Sequence, residues 1–171
     1  MNLNKKNIVL IGMMGSGKST IGYLLSKSID LKFIDIDRVI EKETGLKIHN
    51  IFEEKGELYF RNLEEKITLQ LLKNNKKIIS LGGGAFLNKK IRKEVVNNNL
   101  SFWLSWKNST IMKRIYKSKK RPIAFCSNEN ELKKMIIERS KIYNEANFKI
   151  NCENLKKNII VNQIIDLYEK N

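Results

Sequence analysis

An α/β domain built on a parallel sheet with helices on both faces is the architecture this sequence predicts, and three observations carry it. Short apolar runs recur at Ile8 to Ile11, Phe33 to Ile36, Lys77 to Leu81, Ser101 to Leu104 and Phe148 to Cys152. Segments of helical period separate them, and strands that alternate with helices form sheets covered on both sides. The third observation is Gly12-Met13-Met14-Gly15-Ser16-Gly17-Lys18-Ser19, a GxxxxGK[ST] pattern set where the first run turns into a helix.

That pattern is a phosphate cradle. Its glycines let successive backbone N–H groups converge on an anion, and Lys18 adds positive charge toward the β- and γ-phosphates of a nucleotide. Ser19 offers a hydroxyl to Mg²⁺, and the next helix, from about Thr20 to Ser28, directs its N-terminal dipole at the phosphates. A glycine-rich turn that binds nothing is the alternative, disfavoured by the strand before, the helix after and the Lys-Ser pair.

The second run ends Phe33-Ile34-Asp35-Ile36-Asp37. Residues two apart share a strand face, so both carboxylates are expected in the crevice at the carboxyl end of the sheet. An acid that would hold the metal is missing from the third run, where Ile78-Ile79-Ser80-Leu81 leads into Gly82-Gly83-Gly84. Asp35, through water and beside Ser19, is the candidate for the metal. Asp37 is then left to accept a proton from an attacking hydroxyl, as phosphoryl transfer requires. Capping a helix over Arg38 to Glu43 is the structural alternative for this pair. The three glycines expose backbone amides and suit the wall of an acceptor pocket, although a plain tight turn has the same composition.

Two arginines stand out. Arg61 has Glu57 four residues before and Glu64 three after, so its spacing alone reads as a surface ion pair on a helix. Arg139 falls on the stripe Leu132, Met135, Ile136, Tyr143 and Ala146 of a helix predicted over Glu129 to Ala146. A charge on such a stripe must find an anion, either a structural carboxylate or a carboxylate of a ligand. The basic stretch from Lys113 to Phe125 holds the chain's single proline, Pro122, and reads as a mobile lid over about residues 113–126, or else as a solvated charge run. Arg121, fixed by that proline, is its candidate for contact with the transferring phosphoryl group. His49 has no metal-ligand neighbours and receives no role, while Trp103 and Trp106 are expected to pack in or beside the fourth strand.

At 171 residues the chain fits one domain, 1–171. No run of about 18 apolar residues exists to span a membrane, and the start of the chain leads directly into the first strand, so a cytoplasmic protein is expected. Its 2 cysteines, Cys126 and Cys152, form no CxxC and are expected as free thiols. A net charge of +15 invites a nucleic-acid reading. The lysines, however, are scattered among acids in a chain rich in Lys, Asn and Ile throughout, as AT-rich coding produces, and no aromatics interleave with them for base stacking. No specific nucleic acid is expected.

Taken together, Gly12 to Thr20, Phe33 to Asp37, Ile51 to Glu57 leading into Phe60-Arg61-Asn62-Leu63-Glu64, Gly82 to Ala85, Arg121-Pro122, and Arg139 with Tyr143 resemble the shikimate kinase family in order and over nearly the whole chain. The resemblance implies a P-loop NTPase fold with a five-stranded parallel sheet, a substrate-binding helical segment over about 35–63, and a lid. It implies phosphorylation of the ring 3-hydroxyl of shikimate by ATP with Mg²⁺, by a chain expected to act as a monomer. Gly15, Ser16, Gly17, Lys18, Ser19 and Thr20 would hold ATP, joined by Arg114 and Arg121. Asp37 would bind substrate hydroxyls and act as base. Arg61 and Arg139 would clamp the shikimate carboxylate, Glu64 would orient Arg61, and an amide at Gly83 would add a contact; Ser19 and Asp35 would serve the metal. The lid departs from the family in its many lysines and in reading Ile123-Ala124-Phe125 after Arg-Pro. Asn151-Cys152 and Lys156-Lys157 likewise stand where the family often has Asp-Thr and a proline. The rival readings are a gluconate-type small-metabolite kinase and a basic P-loop protein that binds nucleic acid.

Overall fold

The computed structural model describes residues 6–73, 76–117 and 128–171. Among these, strands β1 (Ile8–Ile11), β2 (Lys32–Asp35), β3 (Lys77–Ser80), β4 (Leu100–Ser105) and β5 (Phe148–Asn151) pair in parallel in the order β2-β3-β1-β4-β5. Helices α1 (Lys18–Ile29), α2 (Ile36–Thr44), α3 (Ile48–Leu72), α4 (Lys89–Asn98), α5 (Asn108–Lys117), α6 (Glu129–Tyr143) and α7 (Lys157–Glu169) connect and cover the strands. None of the described helices is long and apolar enough to cross a membrane.

Side-chain alternation explains why the strands read as unbroken apolar runs. Val9, Ile11, Ile79 and Trp103 enter one core with α2 to α6, while Ile8, Leu10, Ile78, Phe102 and Leu104 enter the other with α1 and α7. A parallel strand buried on both faces has no polar side to show. The chain leaves central β1 first for β2 and β3 on one side and later for β4 and β5 on the other. Such a reversal opens a crevice beyond the carboxyl end of the middle strand, and the loop after Ile11 sits there.

Several boundaries differ from the sequence reading for identifiable reasons. β2 stops at Asp35, because Ile36, fully buried, anchors the first turn of α2 in the core. Asp37 therefore lies in the first turn of a helix and not on a strand face, where the helix dipole favours its negative charge. α1 starts at Lys18, two residues early, since Gly17 turns the chain at φ 92°, a left-handed conformation open to glycine. α6 ends at Tyr143, with the Asn144 amide donating back to the Ser140 carbonyl. The stretch assigned to a lid from residue 113 is still α5 through Lys117, held by buried Ile115. Arg121, Pro122 and Cys126 lie outside the described residues. α3 carries an unforeseen break at Gly56, whose φ 81° and ψ 167° separate the turns before it from the long segment bearing Arg61 and Glu64.

At the opposite end of the sheet from the crevice, fully buried Asn7 ties four segments together. Its amide donates to Leu72 O (3.1 Å) and Asn99 Oδ1 (2.7 Å), and its Oδ1 accepts from the Lys77 amide (3.1 Å). Replacing Asn7 with Ala strands those partners in the interior. The expected cost is about 1–3 kcal/mol, read as a fall of roughly 2–4 °C in melting temperature per kcal/mol, with turnover of the folded protein unchanged.

Candidate active site

The crevice holds a cleft of about 270 Å³ lined by Gly15, Gly17, Lys18, Ser19 and Thr20 of the cradle, by Asp35, Asp37 and Ser80 at the strand ends, and by Arg114. Lys18 is buried, and its ammonium donates to the carbonyls of Gly12 (2.7 Å) and Met13 (3.0 Å), which holds the loop closed beneath it. Ser19 Oγ donates to Asp35 Oδ2 at 2.5 Å. Asp35 occupies the N-cap position of α2, yet its carboxylate caps nothing and turns instead to Ser19. One hydroxyl and one carboxylate make a sparse set of hard oxygen donors. That suits Mg²⁺, which keeps several waters and takes the rest of its shell from phosphate oxygens.

A second cluster lies against Gly82, Gly83 and Gly84. A Cβ on Gly82 would lie 2.6 Å from Glu64 Oε1 and 2.8 Å from Asp37 Oδ1, and one on Gly84 would lie 2.6 Å from Arg61 Nη1. These glycines are thus required by close approach: charged side chains press directly on the backbone. Arg61 is held from three sides. Its Nη1 donates to Glu64 at 2.7 Å, its Nε donates to Glu57 at 3.3 Å, and its guanidinium lies over the rings of Phe60 and Phe52. The ion-pair partners read from spacing are both present. The description as an ordinary surface pair fails, because Glu64 is only 2% exposed.

Arg139 reaches the same place from α6. Its Nη1 donates to the Gly83 carbonyl (3.3 Å), which also accepts a short hydrogen bond from the Tyr143 hydroxyl. Among the described residues Arg139 forms no ion pair within 4 Å, although its charge acts on the buried Glu64 carboxyl. Burial drives the Tyr143 phenol up to about 12, so it stays protonated and donating.

Sequence reasoning passed over Trp106. It follows β4 directly, donates from Nε1 to the Ser16 carbonyl (2.9 Å), and carries the Arg114 guanidinium 3.6 Å from its ring centroid. Only its position next to the strand end hinted at this, since nothing in its spacing ties it to the cradle. Thr20 is exposed at the edge of the cleft, Ser16 is buried, and His49 is exposed in the first turn of α3 with no place in either cluster. The free thiol expected at Cys152 is present and buried, and burial pushes it up to about 12.

Glu64 sets a pH dependence. Burial raises its pKa above 4.5, outweighing the Arg61 charge and hydrogen bond that lower it, with Asp37 nearby adding to the rise. A carboxyl with a folded pKa above its unfolded value contributes stability that is full below the unfolded value and lost as pH rises through the folded one. Glu64→Gln carries no such loss. Chemical denaturation of both chains at pH 4 and pH 7 is expected to show the wild type losing stability relative to Glu64→Gln on going to pH 7; the opposite drift would contradict the assignment.

The comparisons with known proteins fit this geometry. A family model described as shikimate kinase matches residues 14–169. A shikimate kinase of Persephonella marina is 39% identical over 160 residues, covering 94% of this chain and 97% of the relative. The solved structure of shikimate kinase from Acinetobacter baumannii in complex with shikimate superposes with a TM-score of 0.90 at 28% identity, over 98% of this chain and 95% of that one. A gluconokinase from Sinorhizobium meliloti, at 14% identity and a TM-score of 0.56 over 98% of this chain and 93% of its own, shares the fold alone. With a family match along nearly its full length and the phosphate cradle in place, the chain belongs to the shikimate kinase family and is an ATP-dependent kinase.

Proposed function

We propose that this chain transfers the γ-phosphoryl group of ATP to the ring 3-hydroxyl of shikimate, giving shikimate 3-phosphate and ADP, with Asp37 as base and Arg61 and Arg139 as the carboxylate clamp. The observation that carries the reading is the convergence of Arg61, Arg139 and Asp37 on Gly82 to Gly84 at the edge of the phosphate cradle. Two guanidinium forks fit a substrate carboxylate, and a carboxylate between them and the cradle fits a hydroxyl about to attack phosphorus.

The roles follow from position. Gly15, Ser16, Gly17, Ser19 and Thr20 receive the phosphates at the start of α1, and Lys18 exchanges the Gly12 and Met13 carbonyls for phosphate oxygens. Asp37 takes the proton of the 3-hydroxyl as its oxygen bonds to the γ-phosphorus, while the bond to ADP breaks and Lys18 stabilises the charge on the transferring group. Ser19 and Asp35, the latter through water, would hold Mg²⁺, which would supply positive charge against the phosphates. Glu64 fixes the Arg61 fork, Gly83 adds a backbone contact to the substrate, and Arg114 meets the nucleotide. Arg121 belongs to the lid in this reading. Residues 35–63 form the substrate segment of a single domain, 1–171, that works as a cytoplasmic monomer with no nucleic-acid partner.

Gluconate also offers a carboxylate and hydroxyls, so acceptor choice is the test. ADP release is expected with shikimate and Mg²⁺ together, with little from ATP alone or with gluconate; equal release without shikimate would overturn the reading. Asp37→Asn should cut turnover by about a hundredfold to ten-thousandfold at saturating shikimate. Arg61→Lys and Arg139→Lys should each raise the KM for shikimate by roughly ten- to a hundredfold while the KM for ATP changes little. A loss of thermal stability with unchanged shikimate dependence would mark both arginines as structural.

A further inference from the structure

The geometry points to Trp106 as a positioning residue for the nucleotide, one that binds the phosphate cradle and Arg114 into a single unit and so sets affinity for ATP. The inference rests on the kinase reading above, in which Arg114 already meets the nucleotide; what is new is the part that places it. The Trp106 indole N–H holds the Ser16 carbonyl at 2.9 Å, at the turn from the cradle into α1. Its face holds Arg114 at 3.6 Å, closer than the other described cation–ring pairs, which lie at 4.7 to 5.9 Å.

Arg114 in turn leans on the same loop. Its Nη1 donates to the Gly15 carbonyl at 3.4 Å, and among the described residues it makes no ion pair. A guanidinium laid on an indole, with Glu153 near enough to feel its charge but not paired with it, keeps its other face for a ligand. The base of the device is also fixed. Glu153, from the loop after β5, accepts from the Lys107 amide (3.1 Å) and the Thr110 hydroxyl (2.9 Å), pinning the start of α5 just beyond Trp106, and the Cys152 amide donates to Ser105 O (2.9 Å) just before it. Cradle, indole and arginine are therefore joined through direct contacts.

The test separates positioning from packing. Trp106→Leu removes both the N–H and the face and should raise the KM for ATP about tenfold; Trp106→Phe keeps a face and should raise it about threefold. The KM for shikimate should stay within about twofold in both, on the same order as assay scatter. Arg114→Ala combined with Trp106→Leu should weaken ATP use little more than either change alone, as expected of residues that act as a unit. An unchanged KM for ATP in Trp106→Leu, with only a lower melting temperature, would overturn the inference, as would full additivity in the double variant. Should Trp106→Leu fail to fold, Trp103→Phe leaves Trp106 as the sole indole of the 2 in the chain. Its emission is expected to change as MgATP is titrated, and constant emission at saturating MgATP overturns the inference. Failure of the kinase reading would show differently, as a wild-type chain that releases no ADP in response to shikimate.

Discussion

A carboxylate as buried as Glu64 is tolerated only where a cation faces it, and the cluster against Gly82 to Gly84 is organised around that requirement, with Arg61 on one oxygen and no described hydrogen-bond partner on the other. Arg61 supplies the cation from one turn away on α3. Once the pair is in place, its bulk forbids a side chain on the backbone across from it, and Gly82 and Gly84 answer that constraint. The charge of Glu64 also orients the Arg61 fork, whose Nη1 donates to it. Without Glu64 the fork would keep only its contacts with the Phe52 and Phe60 rings and the exposed Glu57 pair, and an exposed pair contributes little to order or stability.

The donor and acceptor sides are not independent. Gly83 lies so close to the cradle that a Cβ there would sit 3.3 Å from the Met14 amide, and the Tyr143 hydroxyl that holds the Gly83 carbonyl also lies 3.6 Å from Met13 Sδ. α6 thus braces the loop after β3 against the loop after β1. In-line transfer depends on holding two reactants at fixed separation, and this shared wall supplies that fixity from ordinary packing.

Much of this was legible in the sequence, and the parts that were not have identifiable causes. The strands and the cradle announce themselves because burial on both faces and phosphate contact each leave a local pattern, as Ile8 to Ile11 followed by Gly12 to Ser19 shows. Asp37 was assigned the right neighbourhood through the wrong element: period-two spacing carried it onto β2, whereas buried Ile36 pulls the chain into α2 one residue sooner. For Arg61, spacing identified both glutamate partners but carried no information on burial, and burial is what turns a surface pair into a positioned fork. Asn7 and Trp106 were illegible for another reason. Their partners, such as Leu72 and Asn99 for Asn7 or Ser16 and Arg114 for Trp106, are distant in the chain, and a single sequence holds no trace of which distant residues meet. A net charge of +15 attracts anions in general, without marking a site.

The central claim is that the Arg61 and Arg139 forks recognise a carboxylate and that this recognition defines the acceptor. It is tested most directly by comparing shikimate with its methyl ester, which keeps the ring and every hydroxyl but carries no negative charge. Calorimetric titration of the wild-type chain should find the ester binding at least about tenfold more weakly than shikimate, the loss expected of a charge-assisted contact. Equal affinity for the two would contradict the clamp and leave the convergence of the two arginines on Gly82 to Gly84 without its proposed purpose.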